Sequence, residues 1–210
     1  MYLPPSFNEQ RINVLHECII QHPFGMLVTQ GVNGLDVNHL PFELTVIDDH
    51  PGILSAHIAR ANSLWQEVQE NDEVMVVFKA ADAYISPNWY PSKHESHQQV
   101  PTWNYVTVHA YGSIQFHQNE KWLRGLLARL TRTHEATQTV PWKISDAPKE
   151  YVDDLIQRIV GLEIHITRLV GKSKLGQDEG GKDIRGAAEG LSAAGEHLIA
   201  NAMLEQLNRK

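Results

Sequence analysis

Residues 105–116 alternate without interruption. Tyr105, Thr107, His109, Tyr111, Ser113 and Gln115 fall on one side, and Val106, Val108, Ala110, Gly112, Ile114 and Phe116 on the other. A period of two over that length is the signature of a strand with one face turned inward. Leu162, Ile164 and Ile166 repeat it late in the chain. Earlier, residues 24–30 read as a strand, Asn33-Gly34 is a hairpin turn signal, and residues 35–46 form a long return strand that contains Pro41. Asp48-Asp49-His50-Pro51-Gly52 makes the next turn and residues 53–58 the third strand. Residues 74–78, Val-Met-Val-Val-Phe, are apolar throughout, as in a strand buried on both faces.

Helices are spaced between these strands. Asn8 is placed to cap a first helix, with Phe7 and Ile12 as a hydrophobic staple, and Pro23 stops it. Asn62 or Ser63 starts a short helix, with Gln66 completing a capping box from Ser63. Residues 121–132 are amphipathic, with Trp122, Leu123, Leu126, Leu127 and Leu130 opposite Lys121, Arg124, Arg129 and Arg132. Ser145 or Asp146 begins another helix with Pro148 in its first turn, and Ser192 caps a terminal one. The glycine-rich stretch between Lys174 and Gly190 is assigned to no element. Six or seven strands with short links and peripheral helices make a mainly β, antiparallel α+β fold, a small barrel. Gly-x-Gly-x-x-Gly and Walker patterns are absent, which argues against a Rossmann fold.

At 210 residues, 42% hydrophobic and 20% charged, the chain has enough material for one core without disulfides. Cys18 has no second cysteine to pair with, so a reducing, cytoplasmic setting is expected. No apolar run reaches membrane-spanning length, so no membrane partner is expected. Eighteen basic against 25 acidic residues give a net charge of −7, which lowers the expectation of DNA binding without removing it.

The segment 83–108 concentrates Trp, Tyr and Pro: Tyr84-Ile85-Ser86-Pro87-Asn88-Trp89-Tyr90, then Val100-Pro101-Thr102-Trp103-Asn104-Tyr105. Rings on stiff backbone suit a planar ligand, or a core cluster under a long loop. Between the halves, His94 and His97 offer two metal ligands, but no Cys or carboxylate pattern completes a tetrahedral set, and no metal is assigned. Arg60, after the third strand, supplies a forked donor set beside a helix start; it either binds an anion or covers that start.

Those aromatic motifs resemble the PaiB-type FMN-binding negative transcriptional regulator family, within the FMN-binding split barrels typified by pyridoxamine-phosphate oxidases. Met1-Tyr2-Leu3-Pro4, Ala56-His57-Ile58-Ala59-Arg60-Ala61-Asn62 and Lys172-Ser173-Lys174-Leu175-Gly176-Gln177 agree with it in the same order. The resemblance implies an antiparallel split β-barrel over residues 1–171, with a C-terminal extension, 172–210, packed on the same domain. It implies a homodimer with FMN at the seam.

It also implies a distribution of site residues. The flavin ring lies along Asn38, His39, Leu40 and Pro41. The phosphate sits at the strand-to-helix junction of Ser55, Ala56, His57, Ala59, Arg60 and Asn62. Trp103, Asn104 and Tyr105 give the wall and amide contacts. Lys172, Lys174 and Gln177 reach the partner subunit's flavin, or form a solvated basic turn. Ser63 stands where the family usually has Pro, a departure expected to leave binding undisturbed; Gly176 and Asp178 stand where it has Ser and Asn, which puts a hydroxyl contact at that turn in doubt. Trp89 and Tyr90 close the pocket, or belong to the core or a dimer contact.

No catalytic residue is assigned. Two functions follow: a repressor whose dimer contacts DNA, or an FMN-dependent oxidoreductase, like pyridoxamine-phosphate oxidase or a flavin reductase, acting on a small substrate.

Overall fold

The computed structural model describes residues 1–208, and the chain divides into two compact units. One, the sheet unit, consists of Ile19–Phe78 and His109–Leu169; the other, the helical unit, of Met1–Cys18, Lys79–Val108 and Val170–Lys210. Eight strands are found among the described residues: β1 Asn8–Glu9, β2 Phe24–Gly31, β3 Gly34–Pro41, β4 Glu43–Ile47, β5 His50–Ala59, β6 Glu73–Ile85, β7 Thr102–His117 and β8 Ile159–Lys174. The α-helices are α1 Ile12–Gln21, α2 Leu64–Glu67, α3 Pro91–Ser96, α4 Glu120–Glu135, α5 Lys149–Gln157, α6 Gly181–Ala193 and α7 His197–Asn208.

In the sheet unit the strands hydrogen-bond in the order β3-β2-β6-β7-β8-β5-β4. Leu54 faces Ile164, Ala56 faces Leu162 and Ile58 faces Val160 across an antiparallel ladder, and all six are buried. The expected alternation of β7 is present: Ala110, Gly112 and Ile114 are buried while Tyr111, Ser113 and Gln115 are half-exposed. Phe42 and Phe78 meet edge to face at 5.8 Å.

Two strand expectations need correction. The long strand 35–46 is two strands, because Pro41 has no N–H for a ladder and Phe42 turns into the core, its own N–H donating to the Pro23 carbonyl at 2.8 Å. The apolar run 74–78 is buried on one face only: Val74, Val76 and Phe78 are inside, while Met75 and Val77 are half-exposed. Register carries that outer face across three strands, with Met26 between His39 and Val77, and Val28 between Val37 and Met75. Leu35 (76% exposed) and Phe24 (65%) extend it.

The short helix α2 is started by Asn62, whose Oδ1 accepts the Leu64 N–H at 2.9 Å; Ser63 is in helical conformation and makes no side-chain cap, so the expected capping box is not formed. Asn119 Oδ1 caps α4 by accepting the Trp122 N–H at 3.0 Å. Leu123, Leu126 and Leu130 bury the apolar face of α4. Trp122 stacks on His117 with ring centroids 4.2 Å apart and lies against Gly161, where a Cβ would come within 2.1 Å of the indole. Ser145 and Asp146 belong to a 3-10 turn, and α5 follows Pro148.

In the helical unit, Asn8 and Glu9 pair with Lys172 and Gly171 of β8, so the first helix cannot begin at Asn8. It begins at Ile12, with Glu9 Oε1 accepting the Arg11 N–H at 2.9 Å; Ile12 is 48% exposed and forms no staple. The unassigned glycine-rich stretch is the helix α6. Its glycines admit the Trp89 segment closely: a Cβ on Gly190 would lie 2.4 Å from the Trp89 ring, and one on Gly186 2.3 Å from the Trp89 carbonyl. Tyr90, Ile184, Ala187, Leu191, Ile199 and Met203 form the core beneath. Trp89 and Tyr90 are therefore packing residues. Ser192 lies in the last turn of α6 rather than at a cap.

Candidate functional site

The residues implied by the resemblance fall into two groups, one in each unit. In the sheet unit, β3 ends the strand order, so among the described residues one edge of Asn38–Pro41 faces no partner strand. His39 lies 6.2 Å from the Phe24 ring. Asn38 and Asn62 join β3 to the start of α2: Asn62 Nδ2 donates to Asn38 Oδ1 at 2.7 Å, and Asn38 Nδ2 donates to Asp36 Oδ2 at 2.8 Å.

On β5, Ala56 points into the core and is fully buried, whereas Ser55, His57 and Ala59 share the opposite face. His57 Nδ1 is buried with no hydrogen-bond partner among the described residues. Loss of solvent around it pulls the imidazole pKa below its ordinary value, so the ring is neutral near pH 7.

Arg60 is held in place by neutral acceptors. Its Nε donates to the Gln157 carbonyl at 2.8 Å, Nη1 to Gln118 Oε1 at 2.8 Å and Nη2 to the Ile159 carbonyl at 3.0 Å. The guanidinium sits 5.8 Å from the Trp65 ring. A guanidinium has five N–H bonds, so three acceptors leave two donors over. The cleft beside it, about 440 Å³, is lined by Arg60, Gln118, Gln157, Leu123, Ile156 and Glu120. Glu120 already accepts from Arg124 at 2.8 Å.

In the helical unit the second group is occupied differently. The β7 pleat sends Trp103 and Tyr105 to one side and Asn104 to the other. Trp103 is 55% exposed and meets Tyr84 edge to face at 6.1 Å. Asn104 is buried and donates from Nδ2 to the Met203 sulfur at 3.4 Å. Lys172 is buried, with its ammonium on the Tyr2 carbonyl at 3.2 Å and 5.2 Å from the Tyr105 ring. Lys174 donates to Thr102 Oγ1 and to the Trp103 carbonyl. Gln177 closes its own turn, accepting from Leu175 N and donating to the Ser173 carbonyl. Of these side chains, Asn104 and Lys174 also line a small polar cavity of about 150 Å³ with Tyr90, Thr102 and Gln99. Burial raises the Tyr90 phenol beyond its ordinary range, and Glu179, Asp178 and Asp183 add to that.

Sequence reading missed Gln118, Gln157 and Met203. No local signal marks them, because the bonds that recruit them span 58 to 99 residues. The basic face of α4 is also less open than its composition implies: Arg124 pairs with Glu120 and Asp153, and Arg129 with Glu43. Among the described residues no group of three or more His, Cys, Asp or Glu is placed to hold a metal, and no helix is long and apolar enough to cross a membrane. His94 Nε2 lies 3.4 Å from the Asn88 carbonyl.

Residues 1–168 match the family described as "Putative FMN-binding domain". The chain belongs to that family. Its cofactor is FMN, and the PaiB-type resemblance is upheld by 28% identity to the protease synthase and sporulation protein PAI 2 of Bacillus subtilis, over 100% of this chain and 98% of the relative. An uncharacterised protein of Emericella nidulans is 32% identical over 98% of this chain and 97% of its own. Among solved structures, the flavocytochrome Anf3 of Azotobacter vinelandii superposes with a TM-score of 0.58 at 11% identity, covering 80% of this chain and 69% of its own. An FAD- and haem-binding protein of Mycobacterium smegmatis gives 0.57 at 14%, covering 83% and 77%. The antiparallel α+β fold is the one that these two solved structures share.

Proposed function

We propose that the protein is an FMN-binding homodimer acting as a PaiB-like negative transcriptional regulator, with the phosphate of FMN held at Arg60. One observation carries the anchoring: the Arg60 guanidinium is oriented wholly by neutral acceptors, so its charge is left for an anion in the adjoining cleft. The His57 Nδ1, unpartnered among the described residues on the strand that ends just before Arg60, is a further buried group ready for a ligand. In this reading the ring lies along the free edge of β3 at Asn38, His39, Leu40 and Pro41, and Ser55, Ala59 and Asn62 shape the junction. Ala56 contributes backbone only, since its side chain faces the core.

Trp103 and Tyr105 of the helical unit offer ring surfaces to a flavin, as the family resemblance implies. Lys172, Lys174 and Gln177, all internally bonded, hold the shape of the turn that meets the partner's flavin. FMN, when bound, supplies the electron-transfer chemistry. The homodimer is supported by the apolar outer face of β2, β3 and β6, where Phe24, Met26, Val28, Leu35 and Val37 are half-buried or exposed. An unpaired apolar sheet face of this kind is stable once a second copy covers it. The cytoplasm suits Cys18, whose thiol burial pushes up to about 11 and leaves unreactive.

The regulatory role rests on similarity along the full chain to the sporulation protein of Bacillus subtilis. A second reading, an FMN-dependent oxidoreductase, is favoured by the small polar cavity at Thr102, Asn104 and Lys174, sized for a small substrate. A salt-titrated DNA-binding assay, run beside steady-state oxidation of reduced nicotinamide, separates the two. A regulator binds DNA with an affinity that falls steeply with salt and turns over slowly. Rapid turnover without DNA binding would overturn the regulatory reading.

A further inference from the structure

A second cleft of about 440 Å³ lies in the sheet unit, away from Arg60, between the C-terminal half of α4 and the segment that follows it. Its apolar lining comes from Ala128, Ala136, Pro141, Trp142 and Ile144. Trp142 is 46% exposed. The segment is held by the Glu135 carboxylate, which accepts the Trp142 backbone N–H at 2.9 Å, and by Asp146, which accepts the Lys143 N–H at 2.9 Å.

Cations face this cleft without a carboxylate partner, whereas Arg124, Arg129, Lys149 and Arg158 of the same unit are ion-paired. Arg132 and Lys143 line the cleft, and neither forms an ion pair among the described residues. The one carboxylate lining it among the described residues, Glu135, accepts the Trp142 N–H, so the rim carries two cations against one anion. The result is an apolar slot with a flat aromatic wall and a cationic rim, on a chain whose overall charge is −7. Pockets of this size with mostly apolar walls and a few polar groups are the usual form of small-molecule sites.

We propose that this cleft binds a small aromatic carboxylate, with its ring against the Trp142 indole and its carboxylate toward Arg132 and Lys143. The ring supplies contact area and an offset stack. The cations select the acid over neutral analogues. This proposal does not depend on where FMN sits.

The test uses the full chain carrying FMN and naphthalene-2-carboxylate as the probe, with affinity read by equilibrium dialysis. Saturable binding is expected. Trp142→Ala should weaken it by about tenfold, and Arg132→Glu and Lys143→Glu by about fivefold each. Naphthalene-2-carboxamide should bind about as weakly as the acid binds to Arg132→Glu, and Arg185→Glu, outside the cleft, should change nothing. All of the substituted side chains are exposed or half-exposed, and an unchanged circular dichroism spectrum certifies each fold. Absence of saturable binding at millimolar probe, or equal affinity in wild type and both charge variants, would overturn the proposal. So would Trp142 accessibility to acrylamide that falls with rising protein concentration, since a second copy would then fill the cleft.

Discussion

The two groups of site residues differ in how their polar atoms are used. In the sheet unit, His57 Nδ1 has no partner among the described residues and Arg60 is steered by carbonyls and an amide that leave its charge uncancelled. In the helical unit, Lys172, Lys174, Gln177 and Asn104 already donate to internal acceptors. A buried polar group with its partners in place stabilises local structure, while one without them waits for a ligand. On the proposed reading, this contrast gives anchoring of FMN to the sheet unit and shape to the helical unit.

The sharpest way to break that division is Arg60→Ala. Loss of a charge-assisted contact should weaken FMN binding by about 10- to 100-fold, measured by quenching of flavin fluorescence. If Lys174→Met matches or exceeds that loss, the assignment is reversed.

Next in size is Gly161→Ala. The new Cβ would meet the Trp122 indole, and repacking should cost about 1–3 kcal/mol in urea unfolding. FMN affinity at saturating folded protein should change little, because Trp122 packs rather than binds.

Gln177→Ala sharpens the other side. Removing the side chain that bridges Leu175 N and the Ser173 carbonyl should cost about 1–2 kcal/mol of stability. FMN affinity should stay within about threefold. A large loss of affinity with unchanged stability would make Gln177 a ligand contact.

The smallest effect concerns pH. The His57 pKa is lowered in the folded chain by burial, so the unfolded chain takes up a proton first as pH falls. Stability is therefore level above the ordinary histidine range and declines as pH drops through it toward the folded value. Unfolding midpoints at pH 7.5 and 5.5 should differ less for His57→Leu than for wild type. An identical drop in both would remove His57 from the account. His109, whose pKa burial also lowers, contributes in the same direction and remains in both proteins.

Much of the fold was legible because strand period and turn chemistry are local. The β7 alternation, the Asn33-Gly34 turn and the apolar stripe of α4 needed no tertiary information. The misses are tertiary. Asn8 and Glu9 are drawn into a ladder with β8, which moves the first helix to Ile12. The helix α6 is hidden by glycines that weaken its propensity yet are required where Trp89 approaches. The apolar run in β6 promised two buried faces, and a single chain covers one. At the candidate site, Arg60 and the order of its neighbours could be read, but its three acceptors lie 58 to 99 residues away.

Titration of the protein with FMN and with riboflavin, which lacks the phosphate, is the most direct measurement of where the cofactor is anchored. The account predicts that wild type binds FMN at least about tenfold more tightly and that Arg60→Ala erases the difference. Equal affinity for the two flavins in wild type, or a preference for FMN that survives Arg60→Ala, would contradict it.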